Sequence, residues 1–307
     1  MKNIILLFAL NIICFNSYTQ DIEPFEITEA WLSQIKSLAP VKTTVAIDGK
    51  KNILIFSLHT GYEHWNIPHT EAVLTIIGEK ANAFTFILSK DINEFKKEKL
   101  QKYDAIILNN TCSKRDFRNL FYDVYSEDKN LTQQQAFDLS KNLENNLLDY
   151  VESGKGLMLI HGAIVMQNKS DSFGKMVGGS FDYHPKQQPI KVKLVDPSHP
   201  LVASFNRQGF THVDEPYFFM DEYYNYNFRP LLYMDANDLD GLREKVTEST
   251  RYIAWIKRYG KGRIFYSSPS HNPQSFENKE MLQFLLDGMQ YVVGDLECDD
   301  SPFGLRE

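Results

Sequence analysis

The chain has 307 residues, of which 43% are hydrophobic and 24% charged, and its formal net charge is −7. These values are typical of a soluble protein with a sizeable core, and they exclude a disordered, collagen-like or coiled-coil chain. A non-specific nucleic-acid binder needs a positive field, and no run of Lys and Arg supplies one. Nucleic acid is therefore not an expected partner.

The N-terminus has the pattern of a secretory signal. Met1-Lys2-Asn3 is positively charged, residues 4–15 are almost wholly apolar, and the small residues Ser17 and Thr19 follow. The apolar stretch is shorter than the roughly 20 residues of a membrane span, although an uncleaved anchor is the alternative. We expect residues 1–19 to be a cleaved signal peptide and the mature protein to be periplasmic or secreted. No second such run follows, so we do not expect an integral membrane protein.

Two cysteines, Cys112 and Cys298, remain after removal of the signal. They could pair in an oxidising compartment, but they are far apart in sequence and nothing fixes their geometry. Two cysteines are too few for a disulfide scaffold or a thiolate metal site.

Strands and helices alternate along the mature chain. Apolar runs predict strands over residues 52–57, 84–88, 103–108, 156–160, 190–195, 231–234, 252–256 and 263–266. Helices are predicted over residues 27–38, 70–80, 92–100, 131–151 and 279–293. The alternation favours one α/β domain over 51–294, with a mostly parallel central sheet. An extension (20–50), an insertion (112–130) and an acidic tail (295–307) complete the chain.

Ionisable side chains follow several of the predicted strands. His59 and His64 come after the first strand, His161 after the strand 156–160, and His271 after the last. Ligands of open parallel sheets bind beyond the carboxyl ends of the strands, so we expect these histidines to converge. Neighbouring loops add the candidates Tyr62, Trp65, Asp182, His184, Asp214, Glu215 and Tyr217.

Several chemistries lack their motif. No Gly-x-Ser-x-Gly elbow, P-loop, Gly-x-Gly-x-x-Gly or His-Glu-x-x-His pattern occurs. A serine hydrolase and a nucleotide cofactor are therefore not expected. Two kinds of site remain: a divalent metal held by His and Glu, and metal-free acid–base catalysis by imidazole. The sequence leaves both open, together with the oligomeric state.

Seven blocks of the chain form a recognisable series. They are His59-Thr60-Gly61-Tyr62-Glu63-His64, residues 156–163, 178–185 and 196–200, Asp214-Glu215-Pro216-Tyr217, residues 254–266 and Ser270-His271. In this order they resemble the ThuA-like (trehalose-utilisation) family. The resemblance implies a flavodoxin-like three-layer sandwich similar to class I glutamine amidotransferases. In those enzymes a nucleophilic cysteine follows a central strand, where this chain has His161. Cys112 follows a different strand, so we expect amidotransferase chemistry to be lost.

The resemblance also implies a role in disaccharide catabolism through 3-keto sugars, although the insertion and the extra N-terminal helix leave trehalose itself open. A ketone at C3 acidifies the C2 proton and prepares the group on C1 for elimination. The candidate catalytic residues are Glu215 and His64 as bases, His161 and His271 (or a metal they hold) for the enolate, and His184 or Asp182 as acid.

The same residues define the other expected roles. The candidate metal ligands are His64, His161, Glu215 and His271, and the candidate substrate-binding residues are His59, Tyr62, Trp65, Asp182, Asp214 and Tyr217. The expected protein is a carbohydrate-active lyase, hydrolase or isomerase without a Cys or Ser nucleophile. The alternative is a non-catalytic carbohydrate-binding or scaffold protein on a degenerate amidotransferase-like fold.

Overall fold

The computed structural model describes residues 22–243 and 247–304. Its central feature is a nine-stranded sheet. Its strands are β1 (Lys51–Phe56), β2 (Phe84–Ser89), β3 (Ala105–Asn109), β4 (Gly156–Ile160), β6 (Gln188–Leu194), β7 (Phe210–Asp214), β9 (Arg229–Asp235), β10 (Thr250–Tyr259) and β11 (Gly262–Ser267). Two short strands, β5 (Ser180–Tyr183) and β8 (Phe218–Met220), form a separate antiparallel pair. The helices are α1 (Glu29–Leu38), α2 (Ile67–Lys80), α3 (Lys97–Leu100), α4 (Leu120–Tyr125), α5 (Gln133–Glu152), α6 (Asp171–Val177) and α7 (Lys279–Val292).

The strand order is β2-β1-β3-β4-β11-β10-β9-β6-β7. The first five strands are parallel and have the order of a flavodoxin-like sheet, whereas the other four extend it with antiparallel pairings. Every residue of β3 and β4 is buried, as expected of parallel strands covered on both faces. This confirms the predicted α/β class and flavodoxin-like sandwich.

Helices cover both faces of the sheet and create two cores. Trp31 of α1, Val73 of α2 and Met281 of α7 belong to one core. The other core contains residues of α3, α4, α5 and α6. Cys112 packs in the second core and Cys298 against the first, and both are free thiols. The two cysteines therefore lie on opposite sides of the sheet and do not pair.

The local predictions succeed where the apolar pattern is continuous. The helix predicted over 27–38 is α1, whose first turn is capped by the Thr28 side chain. The helix predicted over 92–100 is instead a 3-10 turn (Ile92–Phe95) followed by α3, because Lys96 between them has an extended backbone. Strands β5, β7 and β8 were not predicted; each has only three to five residues.

The segments outside the predicted core domain are partly described. The insertion 112–130 contains α4, and the tail docks on the body, where Asp300 accepts a hydrogen bond from the hydroxyl of Tyr291 at 3.0 Å. The predicted signal peptide lies outside the described residues. None of the helices within 22–243 and 247–304 has the length and apolar character needed to cross a bilayer.

Candidate active site

A cavity of about 540 Å³ opens beside the carboxyl ends of the parallel strands. The loops that follow β1, β3, β5 and β7 all contribute to its wall. Its lining residues are Gly61, Tyr62, His64, Cys112, Ser113, Lys114, Arg115, Arg118, Val165, Phe181, His184, Glu215 and Tyr217. Two further histidines, His161 and His271, lie buried against Glu215 in the floor.

His161 stands at the sharp turn between β4 and the 3-10 helix that follows it. Its φ of 48° is in the left-handed region, which a non-glycine residue seldom adopts and which is typical of functional turns. Its Nδ1 lies 2.7 Å from the carbonyl oxygen of Ser268. A carbonyl only accepts, so Nδ1 carries a hydrogen and Nε2 is the ring nitrogen left to meet Glu215 and His271.

Glu215 and His271 meet His161 at Nε2. Glu215 Oε2 lies 3.2 Å from His161 Nε2 and 3.2 Å from His271 Nδ1. The two imidazole nitrogens are 3.3 Å apart. His64 completes the group, and one ligand atom from each of the four residues lies within 4.8 Å of the others. The structure therefore brings together all four candidate metal ligands.

The three distances among His161, Glu215 and His271 match those between neighbouring ligands of one metal ion. Bonds of about 2.0 to 2.2 Å to nitrogen and oxygen place neighbouring ligand atoms about 3.0 to 3.5 Å apart. Three histidines and a carboxylate are donors that suit divalent first-row ions. The residues present therefore fit such an ion.

Burial and neighbouring groups set the charges of this cluster. Burial by itself would raise the pKa of Glu215, but its hydrogen bonds with His161 and His271 outweigh that effect and leave the pKa well below its ordinary value. Burial, assisted by His161 and His271, lowers the pKa of His64 well below its ordinary value. Glu215 is thus an anion and His64 a neutral imidazole, the forms in which both bind metals.

Cys112 supports His64 from behind. Its Sγ lies 3.8 Å from His64 Nδ1 and 3.3 Å from the carbonyl oxygen of Gly162. Burial raises the pKa of Cys112 to about 12, so the side chain is a thiol that donates to that carbonyl. A thiol of this kind is neither a ready nucleophile nor a thiolate ligand.

Asp214 links two chain segments by hydrogen bonds: the segment after β7, which carries Glu215, and the segment after β11, which carries His271. Its Oδ1 accepts from the backbone N–H of Glu215 at 2.8 Å, and its Oδ2 accepts from that of Ser270 at 2.9 Å. The side chain is almost fully buried, so the predicted substrate-binding residue Asp214 lies instead behind the site. Its contacts give it a positioning role.

Three other predicted residues border the cavity. His184 Nε2 is 3.7 Å from Glu215 Oε2, while its Nδ1 donates to the Pro185 carbonyl at 2.9 Å. The Tyr62 side chain is at the mouth, 61% exposed, with its ring 4.7 Å from that of His64. Tyr217 is buried, with its ring 4.3 Å from that of His161.

Comparison with known proteins identifies the family of this chain. The model of the ThuA family, described as trehalose utilisation, matches residues 52–292. This chain belongs to the ThuA family. No curated protein matches its sequence.

Solved ThuA-like structures share the fold. A thua-like protein from Bacteroides uniformis superposes with a TM-score of 0.60 and 19% identity, over 80% of this chain and 93% of that one. A second, from Parabacteroides merdae, gives a TM-score of 0.55 and 16% identity, over 80% of this chain and 90% of the other. At these identities the likeness establishes the fold alone.

Besides Asp214, three predicted substrate-binding residues of this chain lie outside the cavity wall. Asp182 pairs with Arg243 at 3.1 Å and does not line the cavity. His59 pairs with Glu63 at 3.5 Å, and together with Trp65 it lines a separate cavity on the other side of the same loop. His64 is the member of the His–Glu cluster that borders both cavities.

Sequence reasoning missed a positive wall of this ThuA site. Lys114, Arg115 and Arg118 line the cavity from the loop after β3. The segment Lys114-Arg115-Asp116-Phe117-Arg118 follows a strand end as the histidines do, and that position is the signal that could have identified it. The insertion was recognised, but its charges were not assigned to the site.

Proposed function

We propose that this ThuA protein is an exported enzyme that processes a disaccharide or glycoside in its 3-keto form, using a divalent metal ion held by His64, His161, Glu215 and His271. The triangle formed by His161 Nε2, Glu215 Oε2 and His271 Nδ1, with sides of 3.2 to 3.3 Å, carries this proposal. The family's link to trehalose utilisation supports a carbohydrate substrate.

The triangle calls for a proton or a metal ion at its centre. The Ser268 carbonyl holds a hydrogen of His161 on Nδ1, so in the neutral ring Nε2 and the Glu215 carboxylate would face each other as two acceptors. Two acceptors at this distance repel unless a proton or a metal ion lies between them. A protein that only binds sugar has no need of three buried histidines around one carboxylate.

The chemistry requires a base, a group that stabilises an enolate and an acid. A bound divalent ion supplies Lewis acidity for a carbonyl oxygen. His184 is the base that the geometry favours, because its Nδ1–H is donated to Pro185 and its Nε2 lone pair faces the cavity. Its side chain is 35% exposed, which leaves it accessible to substrate.

The proposed reaction is an elimination. His184 Nε2 takes the proton from C2, the C2–H electron pair forms the C1–C2 double bond, and the C1–O bond breaks. The leaving oxygen then takes the proton back from the imidazolium, since C1 and C2 are adjacent. The products are the free alcohol or sugar and an unsaturated 3-keto sugar.

Export is part of the proposal and is supported by the signal pattern of residues 1–19. Fractionation of the native host tests it: the mature form, shortened by about the length of the predicted signal, is expected in the periplasm or medium. A full-length form retained with the membrane would favour the uncleaved anchor.

A mass-spectrometric panel tests the reaction. The mature protein, reconstituted with Mn²⁺, Zn²⁺ or Mg²⁺ in turn, is incubated with disaccharides and glycosides in native and 3-keto form. We expect turnover of keto forms only, abolished by Glu215→Gln and retained in Glu144→Gln, a buried carboxylate outside the cavity. Sugar binding without any product would instead support the non-catalytic alternative.

A further inference from the structure

The cavity has a cationic wall in addition to its histidines. Lys114, Arg115 and Arg118 all reach it from the loop after β3. The only carboxylate among the cavity-lining residues is Glu215, which is already committed to His161 and His271. The wall is therefore strongly positive in a chain whose net charge is −7.

Two of these cations lack a carboxylate partner. Lys114 pairs with Glu127 at 2.9 Å, but neither Arg115 nor Arg118 has an ion pair within the described part of the chain. The Nη1 of Arg118 donates only to the Ser113 carbonyl, at 3.2 Å. A guanidinium has five donors in a planar fork, so most of its capacity remains available.

The charge of Asp123 acts on Arg118, but the two form no ion pair in the part of the chain that the structure describes. Asp123 Oδ2 accepts from Thr60 Oγ1 at 2.5 Å and from the backbone N–H of Lys114 at 2.8 Å. Asp116 is exposed and is not part of the cavity wall. Arg118 itself is half-buried, and burial lowers its pKa, so the fold bears the desolvation of this guanidinium without a paired anion.

The remaining wall suits a sugar ring. Tyr62, Phe181 and Tyr217 supply aromatic surface beside the cations. The hydroxyl groups of a neutral sugar can accept hydrogen bonds from a guanidinium, but they supply no negative charge to balance it. A planar fork at a cavity wall is the typical partner of a carboxylate, sulfate or phosphate group.

We propose that the substrate is an anionic glycoside, whose carboxylate, sulfate or phosphate group is bound by Arg118 and Arg115 while the sugar ring faces the His–Glu cluster. This inference rests on the proposed function in taking the ligand to be a carbohydrate. It adds a charge requirement that the family assignment does not contain.

Calorimetric titration of the mature protein tests the requirement without relying on turnover. The probes are methyl glucoside, methyl glucuronide, the 6-sulfate and 6-phosphate of methyl glucoside, and inorganic sulfate and phosphate alone. We expect at least one anionic glycoside to bind about 10- to 100-fold more tightly than methyl glucoside, the ratio typical of a hydrogen bond to a charged group. The three anionic glycosides distinguish the possible anions.

Matched variants locate the effect. Arg118→Gln is expected to remove most of the preference for the anionic glycoside, and Lys129→Gln to leave it unchanged, because Lys129 lies on the same insertion, exposed and outside the cavity. Circular dichroism and the melting temperature confirm that each variant is folded. If Arg118→Gln does not fold, Arg115→Gln, at an exposed position, serves in its place.

The outcomes separate the two proposals. The charge requirement would be overturned if neutral and anionic glycosides bound with equal affinity. It would also be overturned if Arg118→Gln and Lys129→Gln lost the preference for the anionic glycoside equally, or if inorganic anions bound as tightly as the glycosides. Preference for an anionic glycoside without turnover of its 3-keto form would support this inference and contradict the proposed elimination.

Discussion

Replacing Gly162 by alanine places a methyl group against His64 of the His–Glu cluster and against Cys112 behind it. A Cβ at this position would lie 2.6 Å from His64 Cε1 and 2.8 Å from Cys112 Sγ. Both distances are well inside van der Waals contact, and both neighbours are buried. His64 must therefore move, and it is the ligand that completes the cluster.

The expected cost follows from overpacking. Added methyl groups in a filled core typically destabilise by about 1 to 3 kcal/mol. In a chain of this size that corresponds to a fall in melting temperature of roughly 2 to 6 °C, measured by differential scanning fluorimetry. Displacement of one ligand is also expected to weaken metal affinity about 10- to 100-fold, by analogy with changes that misorient a ligand.

Gly174→Ala is the matched control. Its Cβ would lie 3.2 Å from Ser180 Oγ, and its backbone in α6 is not in the left-handed region. We expect a small change in stability and no change in metal affinity. If Gly162→Ala bound the metal ion as tightly as the unchanged protein, His64 would not be a metal ligand. The same would follow if Gly162→Ala and Gly174→Ala lost equal amounts of metal affinity.

Three further predictions concern the metal, the termini of helices and a remote acid. Addition of a divalent ion at 100 times its Kd should stabilise the protein by about 2.7 kcal/mol, seen as a raised melting temperature, and Glu215→Gln should abolish the shift; an equal shift in that variant would place the ion elsewhere. Thr132→Ala should lower the free energy of unfolding in urea by about 1 kcal/mol without affecting turnover, because Thr132 forms the capping box of α5 with Gln135; an unchanged urea midpoint would contradict that role. Burial raises the pKa of Asp287 to about 6. Because the folded-state pKa exceeds the unfolded one, ionisation of Asp287 costs stability as the pH rises from about 4 through 6, and Asp287→Asn should raise the free energy of unfolding by about 2 to 3 kcal/mol at pH 7 but not at pH 3; a gain that does not depend on pH would contradict it.

The parallel half of the fold is predictable from the sequence for a simple physical reason. Strands covered on both faces are continuous apolar runs, so β1, β3 and β4 are recognisable without knowledge of their partners. The position of His161 follows from β4 and that of His271 from β11, because parallel strands end at one edge of the sheet.

The rest of the site depends on long-range packing. Glu215 reaches the cluster from β7, an edge strand of five residues whose hydrogen bonding to β6 no local pattern reveals. Asp182 and Asp214 are both plausible from their residue types, yet one pairs with Arg243 and the other lies behind Glu215. Only the folded chain distinguishes these environments.

The contribution of the insertion 112–130 to the cavity could not be predicted from the sequence. Its charges belong to a loop whose path has no periodic pattern, so the sequence alone does not show that Arg118 enters the cavity. The backbone N–H groups of Thr60 and Gly61 both donate to the Cys112 carbonyl at 2.9 Å, and these contacts join the loops after β1 and β3. Such contacts between loops become visible only in three dimensions.

The fate of the C2 proton distinguishes elimination from direct hydrolysis of the glycoside. The metal-reconstituted protein is incubated in D₂O with a 3-keto glycoside, and the C2 position is followed by NMR and mass spectrometry. We expect the C2 proton to be lost to solvent or transferred to the leaving oxygen as the C1–O bond breaks. We expect neither proton loss nor cleavage in His184→Gln and Glu215→Gln. Cleavage of the glycoside with C2–H fully retained would contradict it.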